Sequence, residues 1–101
     1  MKKFNKITII GVGLIGGSVG LAIKKRKLAG QVIGVFRRRS TLNKALGRKA
    51  VDVGFMNIAQ AVKDSDLIII GASVHSIPEL ACEAAAFAKE GAIITDVGST
   101  K

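Results

Sequence analysis

The stretch Ile7–Gly20, ITIIGVGLIGGSVG, constrains this chain more than any other. Its apolar start, with Ile7, Ile9 and Ile10, has the β-branched content of a buried strand. The run then breaks into Gly11, Gly13 and Gly16, spaced G-x-G-x-x-G, and Leu14, Ile15, Val19, Ala22 and Ile23 follow at helical spacing. Each glycine has a physical task in that setting. The first turns the chain tightly off the strand, the second lets backbone approach a pyrophosphate, and the third lets the helix pack close to a sheet. The helix amino terminus then offers free N–H groups and a positive dipole to the anion. Glycine spacing alone is weak evidence, but a strand before it and a helix after it form the context that dinucleotide binding requires.

Length and composition narrow the alternatives. A chain of 101 residues makes one domain with a modest core, and a hydrophobic content of 49% predicts folding rather than disorder. No apolar run approaches the roughly 20 residues of a membrane span. The opening MKKFNKITII has only a strand's length of apolar sequence and no cleavage site after it, so it reads as no export signal. The single Cys82 excludes an internal disulfide and fits a reducing, cytoplasmic setting. In its Ala-rich helical surroundings it is expected to be a small buried hydrophobe. One His and one Cys far apart make no metal site.

The net charge of +9 is unevenly placed: residues 1–50 hold thirteen Lys and Arg and no acid, whereas residues 51–101 hold three against seven acids. One half of the molecule is expected to attract anions. Nucleic acid is the rival to a phosphate-bearing cofactor, but with no Trp or Tyr and only four Phe stacking platforms are scarce. It carries no helix-turn-helix or RNP signature either. The run Lys24–Lys27 needs no ligand, since cations suit the negative end of a helix.

Gln31–Phe36, QVIGVF, is the expected second strand, and Arg37, Arg38, Arg39, Ser40 and Thr41 follow it. In dinucleotide-binding folds an acid about 20 residues beyond the glycines accepts the adenosine ribose hydroxyls of NAD. Here that distance lands on Phe36, which accepts nothing, and the arginines beside it offer permanently charged forks suited to a phosphate monoester. The cluster predicts NADP in preference to NAD. Ser40 and Thr41 could cap the next helix and donate to the same phosphate.

That helix is expected over Ser40–Gly47 with Gly47 as its cap, then a short strand within Val51–Phe55. Asn57 and Gln60 have the spacing of a capping box, Asp64, Ser65 and Asp66 end the helix it opens, and LIIIG at 67–71 reads as a doubly buried parallel strand. The loop Ala72-Ser73-Val74-His75 should emerge at the carboxyl edge of the sheet beside the glycines, where ligands bind. His75 has no acid placed by sequence to orient it and is read as a loop histidine. Ser76-Ile77-Pro78-Glu79 starts a helix running to about Lys89, and AIITDV at 92–97 reads as another buried strand.

Alternating strands and helices with short connections predict an α/β, three-layer, doubly wound parallel sheet of Rossmann type, in the order 3-2-1-4-5. The segments GVGLIGGSVGLAIKK, VIGVFRR, DSDLIII, SIPEL and IITDVGSTK together resemble the prephenate/arogenate dehydrogenase family of tyrosine biosynthesis. The glycine loop extended as G-L-I-G-G-S and the closing T-D-V-G-S-x-K are the specific parts. The resemblance implies oxidative decarboxylation of prephenate or arogenate, with hydride transfer to a nicotinamide. It implies that Gly11, Gly13, Leu14, Ile15 and Gly16 cradle the pyrophosphate, and that Arg37, Arg38, Ser40 and Thr41 hold a 2′-phosphate. Ala72, Ser73 and Val74 would border the cofactor. Ser99 would hydrogen-bond the catalytic histidine and the substrate hydroxyl.

The family usually has Pro where Ser73 stands, and its catalytic histidine, substrate arginines and dimer-forming helices follow the D-V-G-S motif. Residues 1–101 are therefore expected to be the nucleotide-binding domain alone, inactive by itself, with a homodimer formed through the part that is absent. Another NADP-dependent reductase, or a non-enzymatic nucleotide-sensing module, would share much of this pattern.

Overall fold

The computed structural model describes residues 4–11, 14–71 and 77–96, and for 14–19 and 77 the backbone alone. Strands β1 (Phe4–Ile10), β2 (Ala29–Val35), β3 (Val53–Phe55), β4 (Leu67–Ile70) and β5 (Ile93–Asp96) alternate with four helices. The helices are α1 (Leu14–Lys25), α2 (Arg39–Gly47), α3 (Ile58–Val62) and α4 (Ile77–Phe87). All pairings are parallel, and the order is β3-β2-β1-β4-β5, as the alternation of elements predicts. From β1 the chain steps outward to β3, then returns past β1 and continues to β5. Crossovers of one hand must then place their helices on opposite faces for the two directions.

The core shows that division. Ile7 and Ile9 of β1, Val32 of β2 and Ile69 of β4 pack with Ile23 of α1 and with Leu42 and Ala45 of α2. On the other face Ile10, Ile33, Val35, Ile68 and Ile70 pack with Ala61 and Val62 of α3 and Ala84 of α4. The period-2 alternation of each strand sends successive side chains into these two clusters. Thr8, wholly buried among the isoleucines, donates its hydroxyl to the Ala61 carbonyl at 2.8 Å and shares a 2.5 Å hydrogen bond with the buried Ser65 hydroxyl. A polar group in that position persists because it is fully paired.

Two carboxylates tie the amino edge of the sheet together. Asp52 accepts from Lys24 Nζ at 2.6 Å and from the Val32 N–H at 2.9 Å, joining α1 to β2. Burial pushes its carboxyl up, but the Lys24 and Val32 hydrogen bonds and the Lys24 charge outweigh that and hold it below the usual range. Asp66 accepts from Lys89 Nζ at 2.5 Å and from the N–H groups of Lys6 at 3.1 Å and Asn5 at 2.7 Å. The Lys89 hydrogen bond, with the two backbone donors, favours the ionised carboxylate and holds its pKa below the usual range. A depressed folded-state value means stability that is fully present above the unfolded carboxyl value of about 3.9 and is lost as pH falls through the folded one. The urea midpoint is therefore expected to be flat from these groups above about pH 5 and to fall below about pH 4. In Asp66→Asn, denaturation at pH 3 and pH 6 should give a smaller difference than in the parent; an unchanged difference would remove Asp66 from the acid limb.

Several local expectations need correction. Ser40 and Thr41 do not cap α2, because the helix starts a residue earlier; Arg38 occupies the N-cap position and makes no side-chain cap bond. Gly47 is the last helical residue rather than the cap, and Lys49, at φ 59°, takes the left-handed position. The Lys49 N–H to Leu46 and Ala50 N–H to Ala45 bonds close that end. Lys27, at φ 54°, ends α1 in the same way, with bonds to Lys24 and from Leu28 to Ile23. Cys82 is exposed, because the inner stripe of α4 runs through Leu80, Ala81, Ala84 and Ala88 and leaves residue 82 outside it. Strand β5 is not buried: it is the sheet edge, and Ile93 is 54% exposed. The expected order 3-2-1-4-5 already puts this strand at the edge, and the apolar run misleads on burial despite it. Asn57 does cap α3, accepting from the Gln60 N–H at 3.1 Å. Among the described residues no helix is long and apolar enough to cross a membrane.

Candidate functional site

The register places the carboxyl ends of all five strands on one edge. Phe55, Val35, Ile10, Ile70 and Asp96 stand in a row across the sheet. Strand β1 is in the middle, and the helices after β1 and β4 lie on opposite faces, so the chain opens a crevice between them. Ligands bind in such sheets at this switch point. Gly11 leaves β1 there at φ 75°, a left-handed value that glycine adopts without strain. Its N–H donates to the Val35 carbonyl at 3.3 Å, and on the other side the Gly71 N–H donates to the Ile10 carbonyl at 2.8 Å. These two bonds carry the ladder one residue past the strands and fix where both loops depart.

Leu14, Ile15 and Gly16 form the first turn of α1, which therefore begins three residues beyond Gly11 at the same edge. No acid lies in that turn, so nothing of the helix's own offsets its positive end. By contrast, α4 carries Glu79 in its first turn. Gly13, Ala72, Ser73, Val74, His75 and Ser99 lie outside the described residues.

The arginine cluster emerges one strand away. Phe36 follows β2, is 3% exposed, and donates its N–H to the Phe55 carbonyl at 2.9 Å. Its ring joins the α1–α2 core, so the side chain at position 36 offers no acceptor to a ribose. Arg37, Arg38, Arg39 and Ser40 are exposed, and Thr41 is half-buried. None of the three arginines is in an ion pair among the described residues. They run into the first turn of α2, which has neither a side-chain cap nor an acid. Its opening N–H groups thus add anion donors that the sequence reading assigned to side chains alone. Guanidinium forks beside an uncapped helix start suit a phosphate, and residues 36–47 include no acid that would repel one. The structure brings Gly11, Leu14–Gly16 and Arg37–Thr41 to one edge.

A family model described as the nucleotide-binding domain of prephenate dehydrogenase matches residues 19–101. A prephenate dehydrogenase of Lactococcus lactis subsp. cremoris is 37% identical over 97 residues, which are 95% of this chain and 27% of that protein. Among solved structures, the Aquifex aeolicus prephenate dehydrogenase in complex with hydroxyphenyl propionate and NAD+ is 25% identical with a TM-score of 0.85. That likeness covers 96% of this chain and 34% of the other. A Synechocystis arogenate dehydrogenase gives 30% identity and a TM-score of 0.85, over 95% of this chain and 34% of its own. The chain thus spans about a quarter to a third of the relatives it matches. With the family model covering most of its length, the chain belongs to the prephenate dehydrogenase family, to that family's nucleotide-binding domain.

Proposed function

We propose that this domain binds NADP(H) in preference to NAD(H), and that it serves an enzyme oxidatively decarboxylating prephenate or arogenate. The observation that carries the cofactor preference is the exposed Arg37–Arg39 turn, in no ion pair among the described residues, leading into an uncapped α2, with the inward Phe36 where an NAD-binding fold has its acid. Arg37 and Arg38 take the 2′-phosphate, with Ser40 and Thr41 donating hydroxyls from the first helical turn. Gly11, Gly13, Leu14, Ile15 and Gly16 hold the pyrophosphate through backbone N–H groups, and Ala72, Ser73 and Val74 border the nicotinamide half. A nicotinamide cofactor held there would supply the acceptor for a hydride from the ring carbon bearing the substrate hydroxyl. Ser99, in the D-V-G-S segment, orients that hydroxyl and the histidine that takes its proton. The whole of residues 1–101 acts as one binding domain. In the proposed enzyme that histidine, the substrate-binding residues and a dimer interface lie outside residues 1–101.

Calorimetric titration of the chain with NADP and with NAD, at matched moderate salt, tests the preference. Tight NADP and weak NAD binding is expected. Equal affinities would remove the 2′-phosphate from the reading, and no binding of either would leave the domain without its proposed cofactor.

A further inference from the structure

We infer that Gly34 is a positioning residue for cofactor choice, acting through the ring of Phe36 on the arginine turn; this rests on the NADP reading above. Gly34 and Phe36 lie two apart on β2 and its extension, so both face the α1–α2 layer. A side chain at 34 would occupy the space the Phe36 ring fills. A Cβ there would stand 2.7 Å from Phe36 Cε2, 2.9 Å from Cζ and 2.9 Å from Val51 Cγ1. Real Cβ atoms essentially never stand that close, so a side chain at residue 34 would force the Phe36 ring or Val51 to shift. Glycine inside a central strand otherwise weakens it, which marks a close approach as its reason.

The consequence reaches the site by one peptide. The ring lies buried in the α1–α2 core, and the Phe36 N–H is bonded to the Phe55 carbonyl. Residue 36 is thereby held from both its side chain and its backbone, and Arg37 leaves from a fixed point on the carboxyl edge. Binding groups lose much of their affinity when their supports let them drift by about 1 Å. Gly34 touches no ligand. It sets where the guanidinium of Arg37 can reach, while the pyrophosphate cradle is built from Gly11 and α1, on the neighbouring strand.

The test is the ratio of NAD to NADP dissociation constants, measured by calorimetry on the 101-residue chain. Gly34→Ala is expected to weaken NADP by about tenfold and NAD by less than about twofold. A purely structural role would lower thermal stability and weaken both cofactors alike, leaving the ratio at its parent value, and that result overturns the inference. Phe36→Leu keeps an apolar anchor but loses the ring atoms that cover Gly34, so it serves if Gly34→Ala does not fold. Its ratio is expected to fall by about threefold, and an unchanged ratio counts against the ring as the link. Arg37→Gln, run beside them, separates the two levels. If Arg37→Gln leaves NADP binding intact, the 2′-phosphate reading itself fails; if it lowers NADP binding while Gly34→Ala does not change the ratio, only the positioning role fails.

Discussion

Arg37→Asp is expected to lower NADP affinity by about a hundredfold while changing NAD affinity by less than about threefold. The magnitude follows from what is exchanged. A charge-assisted hydrogen bond to phosphate contributes about 1.5–3 kcal/mol, and every 1.4 kcal/mol is a factor of ten. The exposure of the turn screens the added repulsion between Asp and a 2′-phosphate, so that term is modest. Arg38 and Arg39 remain nearby and limit the loss further. For NAD the substitution works the other way, since a carboxylate at the edge accepts ribose hydroxyls. Titration of the variant with both cofactors decides the matter. Equal losses would mean that Arg37 meets the pyrophosphate, or acts only through the general field of the basic half.

The choice of position 37 shows where sequence reading reached its limit. Counting from Gly16 leads to Phe36, and the absence of an acid there was legible at once. That residue 36 faces the core was not, because a count along the chain carries no direction; the inward turn depends on Gly34 and on the Phe55 carbonyl, which belongs to another strand. The strand order and the two-sided core were legible for a different reason. Apolar runs such as LIIIG and the glycine turn are local signals, and the crossover rule extends them to a whole sheet. Local signals failed wherever a neighbour decided the outcome. Cys82 sits in an apolar helix whose inner stripe passes it by, and Ile93 sits in an apolar strand with no strand beyond it among the described residues. Two lysines, Lys27 and Lys49, close α1 and α2 in left-handed positions, the second where Gly47 was expected to cap, and their charge suits a helix carboxyl end.

Gly20→Ala is expected to destabilise the domain by about 2 kcal/mol, although alanine is the better helix former by about 1 kcal/mol. In the middle of α1 the added methyl would press on the main-chain carbonyl of Ala50, 3.3 Å from its carbon and closer still to its oxygen, with Ile9 Cδ1 at 3.5 Å behind. A side chain could swing away, but this carbonyl belongs to a link held on both sides. The Ala50 N–H is bonded to Ala45 at 3.0 Å and the Asp52 N–H to Val32 at 2.8 Å. The helix must therefore yield, and overpacking against fixed backbone belongs at the upper end of its range, about 3 kcal/mol, which exceeds the propensity gain of about 1 kcal/mol. Gly47→Ala supplies the contrast: it lies at the end of α2, a Cβ there meets nothing within 4 Å, and stability should rise by about 0.5 kcal/mol. Urea midpoints of the two variants moving in opposite directions would separate packing from propensity; a neutral Gly20→Ala would mean that α1 does not press on the link before β3. Yielding by α1 also has a functional signature. Its amino end forms one wall of the proposed pyrophosphate cradle, shared by both cofactors, so a displaced α1 weakens NADP and NAD together, whereas the arginine turn affects NADP alone.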